Sequence, residues 1–144
     1  MNLFLDTSSL VTLYHEEADT EIMDALFHHN MVTNIFLSEI SKIEFSSTFW
    51  KKNRTGEISR ELAEQIISVF EKDCATFIFI PVDYQITENA RRLLSKYGNY
   101  GLRTLDSIQL ATATCLREKV DFFKSGDKLL VSFMNKESLP TSIS

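Results

Sequence analysis

Phe77-Ile78-Phe79-Ile80-Pro81-Val82 is an unbroken apolar run. A strand with one wet face alternates apolar and polar side chains, so this run predicts a short strand covered on both faces. Helical patterns stand on either side of it. Residues 59–74 place Leu62, Ile66, Val69 and Phe70 on one side, and a second helix at 84–97 is stopped by Gly98. Beyond the loop Asn99-Tyr100-Gly101 the pattern predicts a helix over 104–118, a strand over 120–125 and a short helix over 127–135. Upstream, it predicts a strand over 2–6, a helix over 8–15, and an amphipathic helix over 20–29 with Ile22, Met23, Leu26 and Phe27 inward. A weak strand over 31–36 and a long helix over 38–52 follow, the latter ended by Arg54-Thr55-Gly56. This alternation predicts an α/β fold of three layers, α/β/α, with a central parallel sheet of four or five strands flanked by helices. Residues 1–144 read as one domain. The polar tail 136–144 is expected to be loose, with Leu139–Ile143 as the one segment that would add an edge strand.

At 144 residues the chain is long enough to bury a core without staples. Its two cysteines, Cys74 and Cys115, lack metal-type spacing and do not form a secreted disulfide framework. The N-terminus carries no basic region, and its apolar stretch breaks at Asp6, so no signal peptide is expected. No apolar run approaches the length of a membrane helix. The expected location is the cytoplasm. A formal net charge of −5 argues against tight, indiscriminate nucleic-acid binding. Local basic patches matter more than the sum: Lys51-Lys52-Asn53-Arg54 is one, and Arg91-Arg92 with Lys96 and Arg103 is another. Each is equally readable as a solvated helix face.

Four acids stand where such a fold can gather them: Asp6, Glu44, Asp106 and Asp127. Asp6 and Asp127 follow predicted strands, at the carboxyl ends where open α/β sheets build their sites. Each acid also has a structural explanation. Asp6 and Asp127 are suited to capping the helices that follow them, although Thr7-Ser8-Ser9 offers hydroxyls for the first. Ser41-Lys42-Ile43-Glu44 matches a capping box, but the helical pattern already runs from Ser38. No cation lies three or four residues from Glu44, which makes its burial costly. Asp106 sits in a first helical turn, capped by Thr104, with Arg103 as a salt-bridge partner. Its face continues inward through Gln109, Leu110 and Ala113. Carboxylates gathered without cations repel one another, and a bound divalent metal removes that repulsion. Oxygen ligands favour Mg²⁺ or Mn²⁺ over zinc, and His15, His28 and His29 are not spaced for a zinc site.

Leu3-Phe4-Leu5-Asp6-Thr7-Ser8-Ser9-Leu10-Val11 resembles the first motif of the PIN-domain ribonucleases, and most closely of the VapC-type toxins of toxin–antitoxin pairs. Ser38 through Lys52, with Glu44 inside, is similar to the second motif. Leu105-Asp106-Ser107-Ile108-Gln109-Leu110-Ala111-Thr112-Ala113 resembles the third, and Phe123-Lys124-Ser125-Gly126-Asp127-Lys128-Leu129-Leu130 the fourth. The motifs occur in order over residues 1–133. The resemblance implies a parallel sheet flanked by helices and Mg²⁺- or Mn²⁺-dependent cleavage of RNA. It assigns the catalytic and metal-binding acids to Asp6, Glu44, Asp106 and Asp127, with Glu39 a rival for Glu44. It also gives Ser125 a supporting place, beside Thr7 and Ser8. Arg103, Lys51, Lys52 and Arg54 would grip the substrate, with Tyr97 and Tyr100 available for base stacking. A small antitoxin protein is the implied partner, docking near Leu10, Leu13, Tyr14, Ile22, Leu26, Phe27 and the 38–52 helix; homodimers are common in the family. Three other readings stand beside this one. They are a nuclease of the same fold acting on DNA or in RNA maturation, a non-catalytic metal-binding interaction module, and a receiver-like phospho-acceptor, which the surroundings of Asp83 do not fit.

Overall fold

Consecutive side chains of the first strand enter two different cores, and this alternation organises the molecule. In the computed structural model, which describes residues 1–15 and 32–142, β1 (Asn2–Leu5) runs between β2 (Asn34–Ser38) and β4 (Phe122–Lys124). With β3 (Ile78–Ile80) the order is β3-β2-β1-β4, every pair parallel. Leu3 pairs with Ile35 and Phe122, and Phe4 with Phe36 and Phe123. Leu3, Leu5, Ile35, Leu37 and Phe122 join a core with α1 (Thr7–Val11), α2 (Ser41–Arg54) and α3 (Arg60–Asp73). Phe4, Phe36 and Phe123 join the opposite core with α4 (Tyr84–Tyr97), α5 (Thr104–Cys115) and α6 (Lys128–Lys136). A sheet greasy on both faces needs helices on both faces. The three-layer α/β/α expectation therefore holds, with four strands among the described residues.

Several boundaries and faces differ from the sequence reading. The apolar run 77–82 forms an edge strand: among the described residues β3 pairs only with β2, and Ile78 is 39% exposed. Phe77 and Phe79 nevertheless pack into one core and Ile80 and Val82 into the other. The run thus reports helix cover on both sheet faces, which extends to the edge. In α3 the inward stripe is Ala63, Ile66 and Phe70, while Leu62 and Val69 are exposed. The long helix starts at Ser41, after a turn at Glu39 and Ile40. The strand expected over 31–36 appears as Asn34–Ser38, and the helix expected over 104–118 stops at Cys115. The helix expected over 20–29, with His28 and His29, lies outside the described residues.

The tail is anchored further than its polarity suggests. Leu139 is buried, and the Phe123 N–H donates to the Pro140 carbonyl at 2.8 Å, occupying part of the open edge of β4. A buried leucine and a carbonyl matched to an edge N–H outweigh the polar residues around them. Among the described residues no strand forms there. Cys74 and Cys115 are both free thiols. No described helix is long and apolar enough to cross a membrane.

Aromatic stacking fastens α2 to α3. Phe45 is fully buried, with its ring 4.0 Å from that of Phe70 at 24°, and the Tyr14 ring meets it edge-on at 5.1 Å. Replacing Phe45 by alanine is expected to cost about 3–5 kcal/mol in urea unfolding, the usual range for emptying an aromatic core site. A loss under about 1 kcal/mol would mean that this contact does not hold the two helices.

Candidate active site

Parallel pairing of β1 with β4 brings two turns together at the carboxyl ends of the strands. The Asp6 N–H extends the ladder by donating to the Lys124 carbonyl at 3.2 Å. Asp6 then caps α1, its Oδ1 accepting from the Ser9 N–H at 3.0 Å. Asp127 caps α6 in the same way, its Oδ1 accepting from the Leu129 and Leu130 N–H groups. The structural explanations of both acids are therefore real, and Asp6 does the capping for which Thr7-Ser8-Ser9 also offered hydroxyls.

Two serines lock the turns to each other. Ser8 Oγ donates to Asp6 Oδ1 and Oδ2 at 2.8 and 2.9 Å and accepts from the Gly126 N–H at 2.9 Å. Ser125 Oγ donates to Asp6 Oδ2 at 2.6 Å and accepts from the Asp127 N–H at 2.9 Å. Each hydroxyl thus uses its donor on the carboxylate and its acceptor on a backbone amide. Thr7 points into a different cluster, donating to Glu44 Oε1 at 2.9 Å.

Glu44 lies in the first turn of α2, where the helix dipole favours a negative charge. No capping box forms, because the N-cap position is Ile40 and makes no side-chain bond. Ser41 is buried and turned to Thr7 and Gln109 instead. Glu39 pairs with Lys42 at 2.7 Å at the surface, so it is Glu44 that reaches the cleft. Asp106 occupies the first turn of α5, whose N-cap is Arg103 rather than Thr104. Among the described residues it forms no ion pair with Arg103, whose charge is felt only weakly against the acids around it.

Asp6, Glu44, Asp106 and Asp127 line one cleft with Thr7, Ser8, Gln109, Thr48, Val11 and Lys52. Of the expected substrate contacts, Lys52 borders the cleft and also pairs with Glu57 at 3.3 Å. Lys51, Arg54 and Arg103 are exposed and are not part of the lining. Tyr97 is buried with its hydroxyl donating to Glu137 at 2.6 Å, which removes it as a stacking platform. Tyr100 stays 66% exposed. Gln109 and Thr48 are lining residues that the sequence reading did not assign. A glutamine three residues after Asp106, on a helix face otherwise turned to the core, was the available signal for the first.

The model of the PIN domain matches residues 3–132 of this sequence. The chain belongs to the PIN-domain family. This PIN domain superposes on VapC20 of Mycobacterium tuberculosis, a toxin that cleaves the sarcin–ricin loop, with a TM-score of 0.66 at 16% identity, covering 91% of this chain and 94% of that one. It is similar also to VapBC2 of Rickettsia felis bound to a DNA fragment from its promoter, with a TM-score of 0.67 at 16% identity and coverage of 99% and 98%. FitAcB of Neisseria gonorrhoeae gives a TM-score of 0.68 at 12% identity, with coverage of 98% and 96%. At these identities the likeness is one of fold. No curated protein matches the sequence.

Charge in this PIN domain's cleft is poorly compensated. Burial lifts the Asp6 carboxyl to about 6, with the charge of Asp106 adding to the rise and the bonds from Ser125, Ser9 and Ser8 opposing it. Asp106 is pushed up by burial and then by Asp127 and Glu44, against a lesser pull from Arg103. Among the described residues, no group of three or more Asp, Glu, His or Cys side chains forms a ready-made ion cage. Mg²⁺ is a hard cation that keeps several waters and is held by one or two carboxylates together with a substrate phosphate. The donor set fits such an ion: every acid offers oxygen, and Asp106 accepts no hydrogen bond from the described residues.

A buried acid whose pKa is raised binds its proton more tightly in the folded state, so stability falls as pH climbs from the unfolded to the folded pKa. For Asp6 that window runs from 3.8 to about 6, a penalty of up to about 3 kcal/mol at neutral pH. With divalent ions chelated, Asp6→Asn is therefore expected to unfold at a higher temperature than wild type at pH 7. The gap should close as pH approaches 4. A variant less stable than wild type across that whole range would show that the hydrogen bonds of Asp6 outweigh its desolvation.

Proposed function

We propose that this PIN domain is a Mg²⁺- or Mn²⁺-dependent endoribonuclease and the toxin of a type II toxin–antitoxin pair. The observation that carries the reading is the convergence of four carboxylates, from four separate segments, on one cleft whose lining, among the described residues, includes one basic side chain, that of Lys52. Asp6 and Asp106 would hold the ion directly, and Glu44 and Asp127 would complete its surroundings, directly or through water. A bound divalent ion supplies an activated water and offsets charge on the phosphate undergoing attack. The chain's own groups do the placing. Ser8 and Ser125 keep Asp6 rigid, and the α6 N-terminus holds Asp127 by one oxygen. Glu44 or Asp127 would take the proton that the attacking water gives up. Lys52 stands where it would meet a substrate phosphate, with the exposed Arg103, Lys51 and Arg54 further along the chain's path.

RNA as substrate, rather than DNA, is supported by the likeness to VapC20, a toxin that cleaves the sarcin–ricin loop. The partner proposed is a small cognate antitoxin. Ile43 and Trp50, one heptad apart on α2, are 67% and 37% exposed and would offer it an apolar stripe. A homodimer acting in the cytoplasm completes the proposal.

Purified chain and its Asp106→Asn variant should be compared on total cellular RNA with Mg²⁺, Mn²⁺ or chelator. Discrete, metal-dependent cuts are expected from wild type. The variant should cleave at less than about a hundredth of that rate with its melting temperature no lower than that of wild type. Cleavage by Asp106→Asn at the wild-type rate, or wild-type cleavage that survives chelation, would overturn the reading.

A further inference from the structure

Glu44 is held by one oxygen, and the groups that hold it come from two other helices. Gln109 Nε2 donates to Glu44 Oε1 at 2.8 Å, and Thr7 Oγ1 donates to the same atom at 2.9 Å. Gln109 Nε2 also lies 3.1 Å from Thr7 Oγ1 and 3.0 Å from Ser41 Oγ, and the two hydroxyls are 2.9 Å apart. Gln109 is 2% exposed, Thr7 7% and Ser41 0%. Glu44 Oε2 accepts no hydrogen bond from the described residues, and the side chain borders the cleft.

The other end of the amide is the informative one. Gln109 Oε1 is buried and has no hydrogen-bond partner among the described residues. A glutamine that leaves its acceptor unpaired, while its donor faces three oxygens, is oriented by the donor side. Turning the amide over would set Oε1 against Glu44 Oε1, acceptor against acceptor. An apolar side chain would fill this part of α5 without a buried unpaired oxygen. The unpaired atom therefore indicates that the amide serves Glu44 rather than the packing of α5.

We propose that Gln109 is a positioning residue: its amide clamps Oε1 of Glu44, presents Oε2 to the cleft, and so sets how tightly the cleft takes a divalent cation. Asp106 and Gln109, three residues apart on α5, fall on one side of the helix, so this helix supplies a carboxylate and also orients another from α2. The inference rests on the metal-dependent reading of the cleft.

Mn²⁺ binding to the full chain, followed by isothermal titration calorimetry without RNA, tests it. Gln109→Met keeps the volume and removes the donor. Gln109→Asn keeps an amide but falls one methylene short of Glu44, and it carries the comparison should methionine fail to fold. Either change is expected to weaken Mn²⁺ affinity roughly tenfold, as loss of a residue that orients a ligand does. In a Glu44→Gln background, Gln109→Met should add no further loss, because the two act through one contact. A purely structural role would lower the melting temperature and leave Mn²⁺ affinity unchanged. If a folded Gln109 variant binds Mn²⁺ as wild type does while Glu44→Gln binds it more weakly, this inference is overturned and the cleft reading stands. If Glu44→Gln also binds as wild type does, this inference is overturned, and the cleft reading falls with it only if Asp106→Asn binds Mn²⁺ as wild type does too.

Discussion

The parallel pairing of β1 with β4 is the constraint on which the rest depends. Phe4 opposite Phe123 sets the register, and the Asp6 N–H on the Lys124 carbonyl carries it one residue past the strand. Because the strands run the same way, both deliver a carboxylate at the same edge of the sheet. A slip of one residue would send Phe4 and Phe123 into the wrong core and turn Asp6 away from Ser125. The two cores therefore fix the cleft. Leu3 and Leu5 on one face, and Phe4 on the other, leave the following position no choice but the rim.

The rim is built at a cost in stability. A buried, fully hydrogen-bonded Asp6 beside Asp106, and an Asp106 without a hydrogen-bond donor among the described residues, are liabilities in an isolated fold. The same carboxyl groups serve structure too: Asp6 and Asp127 cap α1 and α6, each giving one oxygen to backbone amides. Asp6 spends both oxygens on Ser8, Ser9 and Ser125. At Asp127 capping and site-building are compatible, because both amides use Oδ1, and Oδ2 accepts no hydrogen bond from the described residues. Glu44 shows the same division, with Oε1 spent on Gln109 and Thr7 and Oε2 left to the cleft.

Much of this was legible in the sequence because it depends on local order. Strand, acid, hydroxyls, helix is a pattern readable at Asp6 and again at Ser125 and Asp127, and the alternation of apolar segments gave the layers. The misreadings share a physical cause: sequence shows which side chains avoid water, but not which neighbour covers them. Phe77–Val82 reads as doubly covered, and it is, yet nothing in the run says that β3 has only one strand neighbour among the described residues. Tyr97 ends the helix just before the loop that carries Tyr100, but Glu137, distant in sequence, claims its hydroxyl. Leu62 and Val69 fit a helical stripe whose buried centre falls instead on Ala63, Ile66 and Phe70. Gln109 was visible only as an inward polar residue; its bond to Glu44 spans 65 positions and cannot be read from spacing.

Among the described residues the cleft sets four carboxylates against one basic lining residue, Lys52, and a bound divalent cation would offset that excess. Thermal unfolding of the wild-type chain, with Mn²⁺ raised from chelated to millimolar levels at constant ionic strength, tests it most directly. A ligand that binds only the folded state adds about 2.7 kcal/mol when present at a hundred times its dissociation constant. The account predicts a saturable rise in melting temperature that Na⁺ at equal ionic strength does not reproduce. A melting temperature indifferent to millimolar Mn²⁺ would contradict it.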